Sequence, residues 1–315
     1  MAFITTKVNS QNINVLFLGN SYTSVNDLPG TIANLLTDSH KSMTYASNTP
    51  GGHCYFEHVE NPTSLNLIRQ GKWDYVVLQE QSQMPSIDYY RYASMYPAAT
   101  RLRDSIALYN PNAQIVFYMT WGRRDGGQQC EDYGQGLYCS ADFVDFDHMQ
   151  DTMTHAYCEI AEQLRSVVAP AGESWRTARH LSELNLFSND GSHPSMLGTY
   201  LTACTFYATF WGENPMGLPH PETIANEDAM VLQKAAYLTV FESSMNWNFT
   251  TTEVGEISSE PIDIINPIPT QADIISETVF DLSGREIQDK GMATGIYIVR
   301  QVLSDGTVRS SKICL

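Results

Sequence analysis

Three side chains stand out as a set able to do chemistry together: Ser21, Asp190 and His193. Ser21 lies in Gly19-Asn20-Ser21-Tyr22-Thr23, directly after the apolar run Val15-Leu16-Phe17-Leu18. A serine hydroxyl attacks poorly unless a base takes its proton and a third group orients that base. Asp190 and His193 are three apart in Asp190-Gly191-Ser192-His193-Pro194, a spacing that lets the carboxylate reach Nδ1 within one local turn. Nε2 would then be free to face Ser21. A tetrahedral intermediate also needs donors on its oxyanion. The backbone N–H of Ser21, that of Gly52 in the Gly51-Gly52 loop, and a side-chain amide from Gln81 or Gln79 are the candidates. The plain alternative is a helix cap at Asp190, an exposed histidine at His193 and an ordinary polar turn at Ser21.

These residues need a frame that brings them to one edge. Val15–Leu18 reads as a buried strand, with a helical run from Pro29 to Thr37 after it. Ser42–Ala46 is a second strand, running into Ser47-Asn48-Thr49-Pro50-Gly51-Gly52-His53. Thr63 to Gln70 reads as a helix, and Trp73–Leu78 as a third strand that ends in the polar cluster Gln79-Glu80-Gln81-Ser82-Gln83. Gln114–Thr120 is a fourth strand, with Trp121-Gly122-Arg123-Arg124 at its carboxyl end. Val167–Gly172 is a weak fifth. Helical patterns cover 98–109, 149–168, 173–184, 196–211 and 226–245. Repeated strand–helix units imply an α/β fold with a mostly parallel sheet, and such sheets take ligands at the carboxyl ends of their strands. Gln79 and Trp121 sit at those ends and are expected to line the substrate. Tyr89, Tyr90, Tyr92 and Tyr96 suit either a cleft lining or helix packing, and packing is favoured.

Composition removes several function classes. The chain has 315 residues, 18 basic and 35 acidic, a formal charge of −17. That balance argues against nucleic acid or an anionic membrane as a partner. No apolar run approaches the roughly 18–20 residues of a membrane span. Met1 to Asn14 does not read as a signal peptide and fits a start placed after a removed leader. No CxxC pair exists among the six cysteines, which argues against a zinc ribbon or thioredoxin-type site, and no cofactor is expected. Cys130 and Cys139 flank a Gly- and Tyr-containing stretch and suit a loop-closing disulfide, while Cys158 and Cys204 fall in core helical patterns. Asn248-Phe249-Thr250 matches an N-glycosylation acceptor.

Composition shifts after Trp247. Residues 1–247 read as one catalytic α/β domain, 248–275 as a linker, and 276–315 as a small β-rich module with a turn signal at Asp305-Gly306.

Taken in order, the Ser21 block, the Gly51-Gly52 loop, the polar cluster after Leu78 and Asp190-Gly191-Ser192-His193-Pro194 resemble the SGNH, or GDSL-type, hydrolase superfamily over roughly residues 13–245. The resemblance implies a three-layer, flavodoxin-like α/β/α fold and metal-independent esterase or lipase activity. It implies Ser21 as nucleophile, Asp190 as acid, His193 as base, and Ser21 and Gly52 as oxyanion donors. Where that family has an asparagine for the third donor, this chain has Gln79-Glu80-Gln81-Ser82, and Gln81 is the nearest substitute. Val279-Phe280-Asp281-Leu282-Ser283-Gly284-Arg285 and Gly295-Ile296-Tyr297-Ile298-Val299 resemble the C-terminal sorting domain of Bacteroidetes type IX secretion. That implies an exported or cell-surface bacterial protein and contact with secretion machinery. The expected activity is hydrolysis of short acyl esters, acetyl foremost, on a small or carbohydrate substrate. A lipase or thioesterase of the same fold and a non-catalytic glycan-binding protein are the alternatives.

Overall fold

The computed structural model describes residues 12–37, 39–250, 274–281, 286–287, 296–303 and 308–314. The chain divides into two compact units, Met1–Glu253 and Val254–Leu315.

The first unit runs β1 (Asn12–Leu18), α1 (Ser21–Ser24), α2 (Leu28–Asn34), β2 (Ser42–Asn48), α3 (Tyr55–Glu60), α4 (Pro62–Ile68) and β3 (Tyr75–Leu78). It continues with α5 (Asp88–Tyr90), α6 (Tyr96–Tyr109), β4 (Gln114–Tyr118), β5 (Gly127–Glu131), β6 (Tyr138–Phe143) and α7 (Phe146–Gln163). Strand β7 (Val167–Ala169) follows, then α8 (Ala171–Leu181), α9 (Met196–Trp211) and α10 (Asn226–Tyr237). Five strands form a parallel sheet in the order β2-β1-β3-β4-β7. This is the flavodoxin-like doubly wound order, and its direction of winding reverses between β1 and β3. The α/β/α expectation holds.

Both faces of the sheet are covered, which is why its strands read as unbroken apolar runs. Side chains alternate between the faces. Val15, Phe17, Val77, Val116 and Tyr118 pack into one core with α2, α8, α9 and α10. Leu16, Leu18, Val76, Leu78, Ile115 and Phe117 pack into the other with α3, α4, α6 and α7. Helix α9 is buried on nearly every side, as its apolar sequence requires. It begins at Ser195, whose Oγ accepts from Gly198 N, and ends at Gly212 in the left-handed conformation.

Two elements differ from the sequence expectation. Helix α3 is only six residues long and is capped by Cys54, whose N–H donates to Glu57 at 2.9 Å. A capping box closed by cysteine carries no ordinary start signal. The stretch 125–145, to which the sequence reading assigns no strand, holds the antiparallel hairpin β5–β6. Its glutamines and glycines hide the strand alternation, and Cys130 lies directly opposite Cys139 in the register and is disulfide-bonded to it.

In the second unit, β8 (Ile274–Asp281), β9 (Glu286–Ile287), β10 (Ile296–Leu303) and β11 (Val308–Cys314) form an antiparallel sheet in the order β11-β10-β8-β9. The Asp305-Gly306 turn and most of the 248–275 linker lie outside the described residues.

Candidate active site

The site is built from three chain segments at the carboxyl edge of the sheet. The first is the exit of β1. Gly19 N donates to Asn48 O of β2 and Gln79 N donates to Leu18 O, so the ladder continues past the strand ends. A side chain at position 19 would place its Cβ 2.6 Å from Gln79 Oε1 and 2.8 Å from Thr23 Oγ1, so only glycine fits. Asn20 then caps α1. Its Oδ1 accepts from Tyr22 N at 3.1 Å and from Gln79 Nε2 at 3.0 Å, and its Nδ2 donates to His53 O at 2.9 Å. Its own N–H donates to Gln79 Oε1 at 2.8 Å. One buried amide thus joins the exits of β1, β2 and β3.

Behind this turn lies His58. Its Nε2 faces Gly19 O at 2.8 Å and its Nδ1 faces Ser64 Oγ at 2.7 Å. A carbonyl can only accept, so Nε2 carries the proton and Nδ1 accepts from the serine. Burial opposes a charge on this ring and lowers its pKa to about 4.

The second segment is the Gly51-Gly52 loop after β2. Gly52 has φ +71°, although nothing lies within 4 Å of where a Cβ would stand. Glycine is needed there for backbone freedom, not for space.

The third segment is the turn before α9. Asp190 Oδ1 accepts from the N–H groups of Ser192 and His193 at 3.0 and 2.9 Å, and Oδ2 meets His193 Nδ1 at 2.6 Å. Burial alone would raise the Asp190 carboxyl, but the His193 ring and the two backbone donors outweigh it and bring it down to about 2. Ser188 N donates to His193 O, Trp121 Nε1 to Ser192 O, and Asn26 Nδ2 to Pro194 O, so the turn is fixed along its length. His193 Nε2 stands 2.9 Å from Ser21 Oγ, across 172 residues of sequence. With Nδ1–H directed at a carboxylate, Nε2 is the free lone pair of the neutral ring.

The structure therefore brings Ser21, His193 and Asp190 into one hydrogen-bonded line. It does not place Gln79, Trp121 and Gln81 as the sequence suggested. Gln79 is 0% exposed and Trp121 1%, so neither lines a cleft. Gln79 is consumed in the Asn20 joint. Trp121 is sandwiched between Tyr22 and Trp175, with ring centroids 4.9 and 3.7 Å away. Gln81 is turned into its own loop. Its Oε1 accepts from Gln83 N and Met84 N, and its Nε2 donates to Gln83 Oε1 at 2.9 Å. That leaves the Gln83 Nε2 without a protein acceptor among the described residues. Of the four tyrosines, Tyr90 and Tyr96 are buried, while Tyr89 stacks on Tyr138 of the hairpin at 3.5 Å.

Sequence reasoning missed the Asn20 joint, His58 and Gln83. An asparagine just before the Ser21 turn is a recognisable cap signal, but nothing in the sequence marks His58. Among the described residues no group of three or more His, Cys, Asp or Glu could hold a metal ion, and no helix is long and apolar enough to cross a membrane. A separate cavity of about 470 Å³, lined among others by Tyr75, Gln114, Phe210 and Trp247, lies at the opposite, amino-terminal end of the strands.

No family model and no curated protein matches the chain. Solved structures do. A DUF4886 family protein from Bacteroides uniformis aligns with a TM-score of 0.59 at 19% identity, covering 75% of this chain and 98% of that one. This likeness supports the fold. A protein described as an SGNH hydrolase from Slackia heliotrinireducens aligns with a TM-score of 0.49 at 26% identity, covering 63% of this chain and 98% of that one. A catalytic mutant of an acetylxylan esterase from Geobacillus stearothermophilus aligns with a TM-score of 0.44 at 14% identity, covering 64% and 95%.

Proposed function

We propose that this chain is a serine esterase of the SGNH type that removes short acyl groups, acetyl foremost, from a carbohydrate alcohol. The observation that carries the reading is the line Ser21 Oγ to His193 Nε2, 2.9 Å, and His193 Nδ1 to Asp190 Oδ2, 2.6 Å. In this reading Ser21 Oγ attacks the ester carbonyl carbon as its proton passes to Nε2. Asp190, held ionised by its three donors, stabilises the imidazolium. The carbonyl oxygen becomes an oxyanion, received by the backbone N–H groups of Ser21 and Gly52. Among the described residues neither group has an acceptor within the protein. We take Gln83 in place of Gln81 as the third donor, because its amide nitrogen is the one left free. The imidazolium then protonates the leaving alkoxide, and water repeats the sequence on the acyl-enzyme with His193 again as base.

The short-acyl and carbohydrate parts rest on the family resemblance. The Cys130–Cys139 disulfide supports an oxidising, exported setting. Substitution Ser21→Ala tests the core of the reading: hydrolysis of 4-nitrophenyl acetate is expected to fall at least about 10⁴-fold. Unchanged turnover would refute it. A chain-length series tests the acyl preference, and faster turnover of octanoyl than acetyl esters would favour a lipase instead.

A further inference from the structure

Arg123 leaves the carboxyl end of β4 and lies half-buried against the neighbours of both reacting residues. Its Nη1 donates to the Tyr22 hydroxyl at 2.5 Å and to Ser192 Oγ, and these two hydroxyls are hydrogen-bonded to each other at 2.6 Å. Its Nε donates to Gln129 Oε1 of the hairpin at 3.2 Å, and its backbone N–H points at Met149 Sδ. Every one of these partners is neutral. Among the described residues no carboxylate pairs with this guanidinium, and Nη2 has no acceptor.

That lack is unexpected in a chain with 35 acidic residues against 18 basic ones. The nearby carboxylates are engaged elsewhere: Asp125 pairs with Arg124 at 2.8 Å, and Asp190 holds His193. A cation drawn partly out of water and given only neutral partners is left short of negative charge. Tyr22, which carries the guanidinium on its hydroxyl, has its ring centroid 5.3 Å from that of His193. The unpaired charge therefore stands about one side chain from the ester-cleaving centre.

We propose that Arg123 is the anion-recognition residue of this site, and that the natural substrate is an ester bearing a carboxylate or sulfate close to the scissile bond. An acidic sugar is one carrier of such a group. The inference rests on the esterase reading and narrows its substrate class. A guanidinium offers paired N–H donors that match a carboxylate or sulfate edge. The overall charge of −17 repels anions at long range. A local cation beside the nucleophile is what would let an acidic ester bind.

The test compares matched acidic and neutral esters on wild type and Arg123→Gln. One pair puts the anion on the alcohol side, 4-acetoxybenzoate against its methyl ester. The other puts it on the acyl side, monophenyl succinate against phenyl methyl succinate. The acidic-to-neutral ratio of kcat/KM for wild type is divided by the same ratio for the variant. The division cancels intrinsic reactivity and any general loosening of the Ser192 turn. A quotient of about 10 or more, carried by KM, is expected for at least one pair, and that pair tells which side of the ester holds the anion. Arg123→Lys is expected to fall between the two proteins. A quotient near one for both pairs overturns the proposal, while hydrolysis of the neutral esters would leave the esterase reading standing. If wild type turns over no ester, that reading falls by itself. Calorimetry with glucuronate then decides on anion binding: affinity in Ser21→Ala that is lost in Ser21→Ala/Arg123→Gln upholds the role of Arg123, and no binding to either overturns it.

Discussion

Replacing Asn20 by alanine removes the joint between three loops without touching a reacting atom. The cap bond to Tyr22 N is lost, worth about 1 kcal/mol. The bond from Gln79 Nε2 is lost, worth about another 1 kcal/mol. His53 O is left without its donor, at a cost of about 1–3 kcal/mol where water does not reach it. The sum is about 3–5 kcal/mol, set against a total stability of about 5–15 kcal/mol for a typical domain, so a variant of a domain in the middle of that range still folds at 25 °C. His53 follows Gly52 directly. Its release is expected to move the Gly52 N–H and lower kcat by up to about 100-fold, the cost of one oxyanion donor, with little change in KM. Urea unfolding followed by tryptophan fluorescence reads the stability, and 4-nitrophenyl acetate reads the rate. Asn20→Ser keeps a capping oxygen and is expected to regain about 1 kcal/mol, but not the activity. An alanine variant that loses less than about 1 kcal/mol would refute the account of Asn20 as a three-way joint. So would a serine variant with full kcat.

Other consequences can be measured on the same footing. Burial raises the Glu80 carboxyl to about 8, so the folded state holds its proton where the unfolded chain does not, and the stability this gives is full below about pH 4 and lost as pH rises towards 8. Glu80→Gln is therefore expected to gain on wild type between pH 5 and pH 8 in urea unfolding, and a constant difference would show that Glu80 is ionised throughout. Gly52→Ala, forced to hold φ +71° with a Cβ, is expected to cost about 1 kcal/mol and to lower kcat, read by the same two assays. Cys130→Ser/Cys139→Ser opens a bridge between residues nine apart and is expected to cost the hairpin about 2.5 kcal/mol by loop entropy, seen as faster amide exchange over 127–143.

The strands that position the site were legible because they are buried on both faces. Val15–Leu18 and Tyr75–Leu78 needed no alternation to be recognised, and the breaks after them fixed where function would sit. Asp190 and His193 were legible because their contact is local. What could not be read was the direction of each amide. Gln79, Gln81 and Gln83 have the same side chain within five residues. Only the exits of β1 and β3 decide that the first is a structural tie, that the second is a turn former, and that the third keeps an amide nitrogen with no protein acceptor among the described residues. Trp121 was misread for a related reason: the end of a strand faces the ligand side, but its side chain can still be folded inward against Tyr22 and Trp175. The β5–β6 hairpin has too few apolar residues to alternate, and its pairing is carried by backbone and one disulfide.

The Asp190–His193 pair and Ser21 belong to different kinds of order. Asp190 and His193 are held by a turn four residues long, and that unit survives small shifts of the sheet. Ser21 is aligned with them by side chains that cross between segments: Tyr22 and Arg123 to Ser192, Trp121 to Ser192 O, and Asn26 to Pro194 and Thr199. Heat or denaturant that first slackens those crossings would widen a single gap while the histidine kept its proton and its tilt. On the esterase reading, activity would then be lost reversibly, with fluorescence and helicity intact, at a temperature below the one at which the protein melts.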